Sequence, residues 1–166
     1  MENKQLIEEF YSAFQQLDAE RMAAFYHTNV QFEDPAFGKL EGEQVGNMWR
    51  MLIERSKGNL EINFHDVEAN EASGKAKWEA KYLFSKTNRK VHNKINASFQ
   101  FKDVKIYRHI DYFNFWKWSG MALGPVGYFL GFTPLVKNKV RKTSLHLLAK
   151  YSEKKFSNDK KITSRF

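Results

Sequence analysis

The sequence predicts an α+β fold, an antiparallel β-sheet with helices gathered on one face. Two patterns carry the prediction. Up to Gly58 the chain shows three apolar stripes at three- and four-residue steps, with one short alternating stretch between the second and the third. From Leu60 to Trp116 it shows four alternating stretches, joined by turns too short for a parallel crossover. A third observation sets the scale. With 166 residues, 42% of them hydrophobic, the chain is long and apolar enough for one cored domain and too apolar for disorder.

The elements follow in order. Over residues 4–17, Leu6, Ile7, Phe10, Phe14 and Leu17 form one helical stripe. Asp18 is placed to cap a second short helix through Met22, Phe25 and Tyr26. In "NVQFEDP", Val30, Phe32 and Asp34 face one way and Gln31 and Glu33 the other, and Pro35 ends the strand because it cannot donate to a ladder. Gly38 and Gly42 mark a loop. Val45, Met48, Trp49, Leu52 and Ile53 then predict a third helix, stopped near Gly58. Leu60, Ile62 and Phe64 open the sheet proper. Ala76, Trp78, Ala80, Tyr82 and Phe84 share one face of the next strand, opposite Lys75, Lys77, Glu79 and Lys81. After the turn "KTNRK", Asn93, Ile95, Ala97, Phe99 and Phe101 share a face. The last strand sends Tyr107, His109, Asp111, Phe113 and Phe115 to one side.

Residues 118–136 break this plan, with no charge in nineteen residues. The length suits a membrane span, but four glycines and two prolines argue for two short apolar pieces folded back on the domain. A lid or packing arm, a dimer contact and a membrane-surface contact are the three uses of such a segment. Lys137, Lys139, Arg141 and Lys142 follow directly. The basicity of the chain sits here: residues 117–166 hold 11 Lys and Arg against 2 acids, whereas residues 1–116 hold 16 against 17. A solvated basic helix with a flexible tail over 157–166 accounts for this charge, and no motif for nucleic acid accompanies it. The absence of cysteine excludes disulfides, thiolate chemistry and cysteine-built zinc sites. The acidic, amphipathic start is unlike a secretory signal, so the expected location is cytoplasmic.

If the apolar face of each strand looks inward, Asp34, Asn93, His109 and Asp111 go in with it, among Trp78, Tyr82, Phe99 and Phe113. Burying polar groups without partners costs roughly 1–3 kcal/mol each, so they should bond to one another or meet a ligand. An aromatic pocket with a few converging polar groups is the usual form of a small-molecule site. An imidazole exchanges protons near neutral pH, and a carboxylate beside it fixes its tautomer. A second carboxyl in an apolar wall serves as acid or base. Asp34, before a proline, also suits an Asx-type turn. His27, His65, His92 and His146 have no such setting. No His/Asp/Glu spacing suits a metal, and no phosphate-binding, dinucleotide or nucleophile-elbow motif occurs.

Through "AERMAAFYHTNVQFEDPAFGKLEGEQVGNMWRML" and the closing "RHIDYFNFW", the sequence resembles the nuclear-transport-factor-2-like superfamily. That group includes ketosteroid isomerases, SnoaL-like polyketide cyclases, scytalone dehydratase and limonene-epoxide hydrolase. The likeness is greatest to uncharacterised SnoaL-like members with an added "ALGPVGYFLGFTPLVKNKVR" extension. The resemblance implies a strongly curved sheet wrapped on three N-terminal helices, a cystatin-like cone over residues 1–116. Residues 117–156 then form an apolar arm and basic helix packed on it. It also implies an apolar cavity and a homodimer through the outer side of the sheet. Asp34, in the same E-D-P context, falls where ketosteroid isomerases keep their general base. Phe10, with Tyr11 beside it, stands in place of their oxyanion tyrosine, and Asn93 and Ala97 occupy the stretch that holds their protonated aspartic acid. Asp111 matches a catalytic aspartate of limonene-epoxide hydrolase. The region of its partners reads Trp78, Glu79, Ala80.

The expectation is therefore an acid–base enzyme with neither metal nor organic cofactor, acting on a small apolar oxygenated molecule by isomerisation, dehydration, cyclisation or hydrolysis. Asp34, His109 and Asp111 would be catalytic, and Asn93, Trp78, Tyr82, Phe99, Phe113 and Tyr11 would bind substrate. The alternative is a non-catalytic ligand-binding or interaction module on the same cone.

Overall fold

A computed structural model describes residues 2–163, with side chains described as far as Ser157. The element order is α1 (Asn3–Gln15), α2 (Ala19–Ala24), β1 (Tyr26–Asp34), β2 (Gly38–Glu41), α3 (Glu43–Ser56), β3 (Leu60–Ala69), β4 (Ser73–Phe84), β5 (Arg89–Lys102) and β6 (Lys105–Tyr112). After these come α4 (Phe115–Leu123), α5 (Pro125–Leu130) and α6 (Pro134–Thr163). The six strands form one sheet in the order β2-β1-β6-β5-β4-β3, curved and open at its edges. Every pairing is antiparallel except β1 with β6, the first long strand with the last.

Curvature has a local cause. The ladder register slips between Tyr26 and Gln31 on β1, between His65 and Glu68 on β3, and between Gln100 and Phe101 on β5. Extra residues on one strand bend it and tighten its twist, which rolls a flat sheet into a cone. The concave face then receives α1, whose buried residues Leu6, Ile7, Phe10, Tyr11, Ala13 and Phe14 are the expected stripe without Leu17 and with Tyr11 and Ala13 added. Leu17 lies beyond that helix at a positive φ, where the chain turns towards Asp18. Asp18 caps α2 as expected, its side chain accepting from the Arg21 N–H at 2.9 Å.

Three elements depart from the sequence reading. Gly38 and Gly42, expected to mark a loop, instead bracket a short strand, and their positive φ angles let the chain reverse before and after it. Phe115, expected on the last strand, opens α4, because Asn114 caps that helix by accepting from the Lys117 N–H. Tyr26, expected on the second helix, begins β1.

The segment 118–136 is helical and folded back. α4 lies against β5, α5 turns back on α4, and α6 runs along α3, where Asn47 Nδ2 donates to Ser152 Oγ at 3.2 Å. Trp118, Ala122, Val136 and Leu148 are buried in the same core as α1 and the sheet. α6 extends into the stretch expected to be a flexible tail. The side chains of 158–163 and the whole of 164–166 lie outside the described residues. The outer face of β4 and β5 is polar and carries ion pairs, among them Glu79 with His92 and Lys94.

Candidate functional site

Strand register assembles the site. Phe32 on β1 pairs with His109 on β6, which pairs with Phe99 on β5. The parallel pair runs on to Glu33 and Ile110, beyond which Asp34 comes within electrostatic reach of Asp111, and Asp111 pairs with Ala97. The next inward row of β4 and β5 holds Trp78 and Ile95, then Ala80 and Asn93, then Tyr82 and Val91. Each of these side chains faces the concave side because strand parity sends it there.

His109 is fully buried and Asp111 nearly so. Their groups belong to one hydrogen-bond chain. Trp49 Nε1–H donates to the Tyr26 hydroxyl oxygen at 3.0 Å, and the Tyr26 hydroxyl meets His109 Nδ1 at 2.8 Å. His109 Nε2 meets Asp111 Oδ1 at 3.0 Å, and Trp78 Nε1–H donates to the same oxygen at 3.1 Å. The indoles can only donate, so the Tyr26 oxygen and Asp111 Oδ1 both accept. The arrangement of a neutral imidazole that satisfies every group of the chain has Tyr26 donating to Nδ1 and Nε2–H donating to Asp111. The imidazole is boxed by rings: Phe99 at 4.5 Å, Phe32 at 5.2 Å and Phe10 at 5.7 Å between centroids. This deep end of the cone is filled with side chains.

Polar groups are less constrained nearer the mouth. Asp34 Oδ1 accepts from the Phe37 N–H at 2.5 Å, the Asx-type turn expected before Pro35. The carboxyl keeps a little solvent contact but has protein on nearly every side. Burial pushes its pKa up to about 7, the nearby Asp111 carboxylate pushes the same way, and the turn N–H groups oppose both. Tyr82 is pushed up to about 12, mainly by burial and further by Asp34, so its hydroxyl keeps its proton. That hydroxyl accepts from Trp118 Nε1–H at 2.8 Å, which ties α4 over the mouth. Trp118 packs on Phe115 at 5.3 Å and on Phe113 at 6.4 Å. Tyr11 is fully buried, its pKa raised by burial and by Asp111, and its hydroxyl has no hydrogen-bond partner among the described residues. Such an orphan costs about 1–3 kcal/mol unless another molecule answers it.

The structure thus brings all nine expected residues to the concave side. Asp34 lies within electrostatic reach of both Asp111 and Tyr82, and Trp78 bonds to Asp111. Phe99 lies deeper, against His109. Asn93 is buried beside Ala80 and makes no side-chain hydrogen bond among the described residues. Sequence reasoning missed Tyr26, Trp49 and Trp118. Tyr26 has the same parity as Val30, Phe32 and Asp34, a signal that extending the strand backwards would have caught. Two surface clefts lie elsewhere: one of about 150 Å³ on the outer side of β1, β2 and β6, and one of about 790 Å³ beside α4. Among the described residues no group of three or more His, Asp or Glu is placed to hold a metal ion.

A curved, open, mainly antiparallel sheet around α1, with polar groups on its concave side, defines the cone fold of nuclear-transport-factor-2-like proteins. The SnoaL-like domain model matches residues 7–109, more than half of the chain, and the chain belongs to that family. Solved structures share the fold. A proposed polyketide cyclase from Xanthomonas campestris pv. campestris superposes with a TM-score of 0.58 at 18% identity, over 71% of this chain and 94% of that one. An LEH-like epoxide hydrolase of M. tuberculosis gives 0.55 at 20% identity, over 76% and 93%. An NTF2-like protein from Anabaena variabilis ATCC 29413 gives 0.57 at 18%, over 66% and 87%. At these identities the likeness is one of fold. No curated protein matches in sequence.

Proposed function

We propose that the chain is an acid–base enzyme, working without a cofactor on a small, largely apolar oxygenated molecule held at the mouth of the cone. One observation carries the reading: a buried hydrogen-bond chain, Trp49–Tyr26–His109–Asp111, ends beside a carboxyl, Asp34, poised near pH 7. A base of that pKa removes a proton at neutral pH and returns it to product, the requirement of an isomerisation, dehydration, cyclisation or hydrolysis. Asp34 is the base. His109 and Trp78 hold the Asp111 carboxylate in place, and its charge keeps the Asp34 proton affinity high. Tyr11, Tyr82 and Asn93 are donors for an oxygen that gains charge as the proton leaves. Trp78 and Phe113 flank the substrate, and α4 covers it. The named activities of the fold neighbours, polyketide cyclisation and epoxide hydrolysis, supply the substrate classes to try first. Pairing of two copies through the outer sheet face belongs to the same reading, and sedimentation tests it.

The test is turnover of a panel of enones, epoxides and polyketide-like diketones by the full chain. Asp34→Asn should lower kcat by roughly 100- to 10,000-fold, the usual worth of a general base, with ligand affinity kept within about tenfold. Wild-type activity should rise with pH through an inflection near 7, since only ionised Asp34 accepts a proton. Unchanged turnover in Asp34→Asn overturns the assignment. The ring-filled deep end favours a second reading, a non-catalytic binder. On that reading no substrate turns over, and Trp78→Ala and Phe113→Ala cost more affinity than Asp34→Asn.

A further inference from the structure

The hairpin of α4 and α5 has an outer surface that the core does not explain. Its inner seam is made of small residues: a Cβ on Gly127 would lie 1.8 Å from the Ser119 carbonyl oxygen, and one on Gly131 would lie 1.9 Å from Ser119 Oγ. Glycine therefore faces α4, and the larger side chains of α5 face away. Val126, Tyr128 and Phe129 (68% exposed), then Phe132 (73%) and Leu135 (76%), stand in the open, continued by half-exposed Trp116. A contiguous apolar surface of this kind on a folded chain marks a contact site.

Charge says what it contacts. From Tyr112 to Ser152 the chain has no Asp or Glu and six Lys and Arg. On one side of the patch, Arg89, Lys90 and Lys117 line the cleft of about 790 Å³ together with Trp116 and Tyr128. On the other, Lys137, Lys139 and Lys142 follow Leu135 at the start of α6. An apolar centre between two sets of cations matches a surface with anionic groups above an apolar interior. A second copy of the chain fits poorly, since a two-fold contact sets these cations against themselves with no acid in the segment to offset them. Among the described residues no helix is long and apolar enough to cross a membrane, so a contact of this kind lies on the surface.

We infer that the α4–α5 hairpin and the first turns of α6 dock on the face of an anionic lipid bilayer. Phe129, Phe132 and Leu135 enter the acyl boundary. Trp116 and Tyr128 sit at headgroup depth, where amphipathic rings partition. The flanking lysines and Arg89 meet lipid phosphates. The inference uses no residue assigned to the reaction, so it stands or falls separately from the proposed chemistry.

Flotation of the full chain with vesicles of phosphatidylcholine, with and without about a third phosphatidylserine, tests it. The chain should float with the anionic vesicles at low salt and be released as salt screens the surface charge. Phe129→Asp with Phe132→Asp should lower the bound fraction at least about tenfold with an unchanged thermal melt, because both side chains are exposed. Lys139→Gln with Lys142→Gln should reduce the preference for phosphatidylserine. Absence of flotation at low salt overturns the inference, as does a Phe129→Asp/Phe132→Asp chain that floats like wild type. A dimer in sedimentation that those two substitutions split, with vesicles left bare, overturns it in favour of self-association.

Discussion

Asp34 and Tyr26 make opposite demands on the fold. Asp34 holds its proton up to about pH 7 when folded and releases it near the ordinary carboxylate value of about 4 when unfolded. Between those values the unfolded chain binds fewer protons, so this group's contribution to stability falls as pH rises through the window. Asp34→Asn removes the dependence and keeps the acceptor for the Phe37 N–H. Its stability relative to wild type should therefore grow from pH 4 to pH 8, by roughly 1–3 kcal/mol after discounting for the partial exposure of the carboxyl. Urea melts at the two pH values measure it, and a constant difference would refute the raised pKa. Tyr26→Phe deletes a hydroxyl that serves both Trp49 and His109. It orphans two buried polar groups and should cost about 2–4 kcal/mol in the same melts. At this scale strand parity made Asp34, His109, Asp111 and Trp78 legible. Tyr26 escaped because its spacing from Met22 fits a helix as well as its parity fits a strand.

At the scale of elements, patterning located α1, α2, α3 and five of the six strands, because each repeats its apolar period several times. It failed where a period had no room to repeat. β2 has four residues, the first of them Gly38, and Gly42 follows it, and the apolar stretch after Asn114 has no polar face against which a helical stripe shows. The α4–α5 seam depends on residues with little or no side chain. Gly127→Ala should push α5 off α4, since the added carbon meets the Ser119 carbonyl at 1.8 Å. The expected loss is about 1–3 kcal/mol, with protease cleavage appearing near residue 124 before any change in the sheet. Protection at that site in the variant would mean that the helices can separate without loss.

For the whole molecule, the boundary expected at residue 116 divides the sequence but not the core. Trp118, Ala122, Val136 and Leu148 are buried with the residues of α1 and the sheet. The full chain should melt in one transition by calorimetry, and a chain ending at Trp116 should bind a hydrophobic dye and melt lower or without cooperativity. Equal melting temperatures would make the arm an appendage. Parallel pairing of β1 with β6 has a consequence in time. Residues 35–104 separate the two strands, so their pairing is a non-local closure that must follow or accompany the hairpins of β3 to β6. A nascent polypeptide halted on the ribosome before Lys105 has made Asp34 but lacks the strand that brings Asp111 to it. The meeting of these two carboxyl groups comes into being as a late event of maturation.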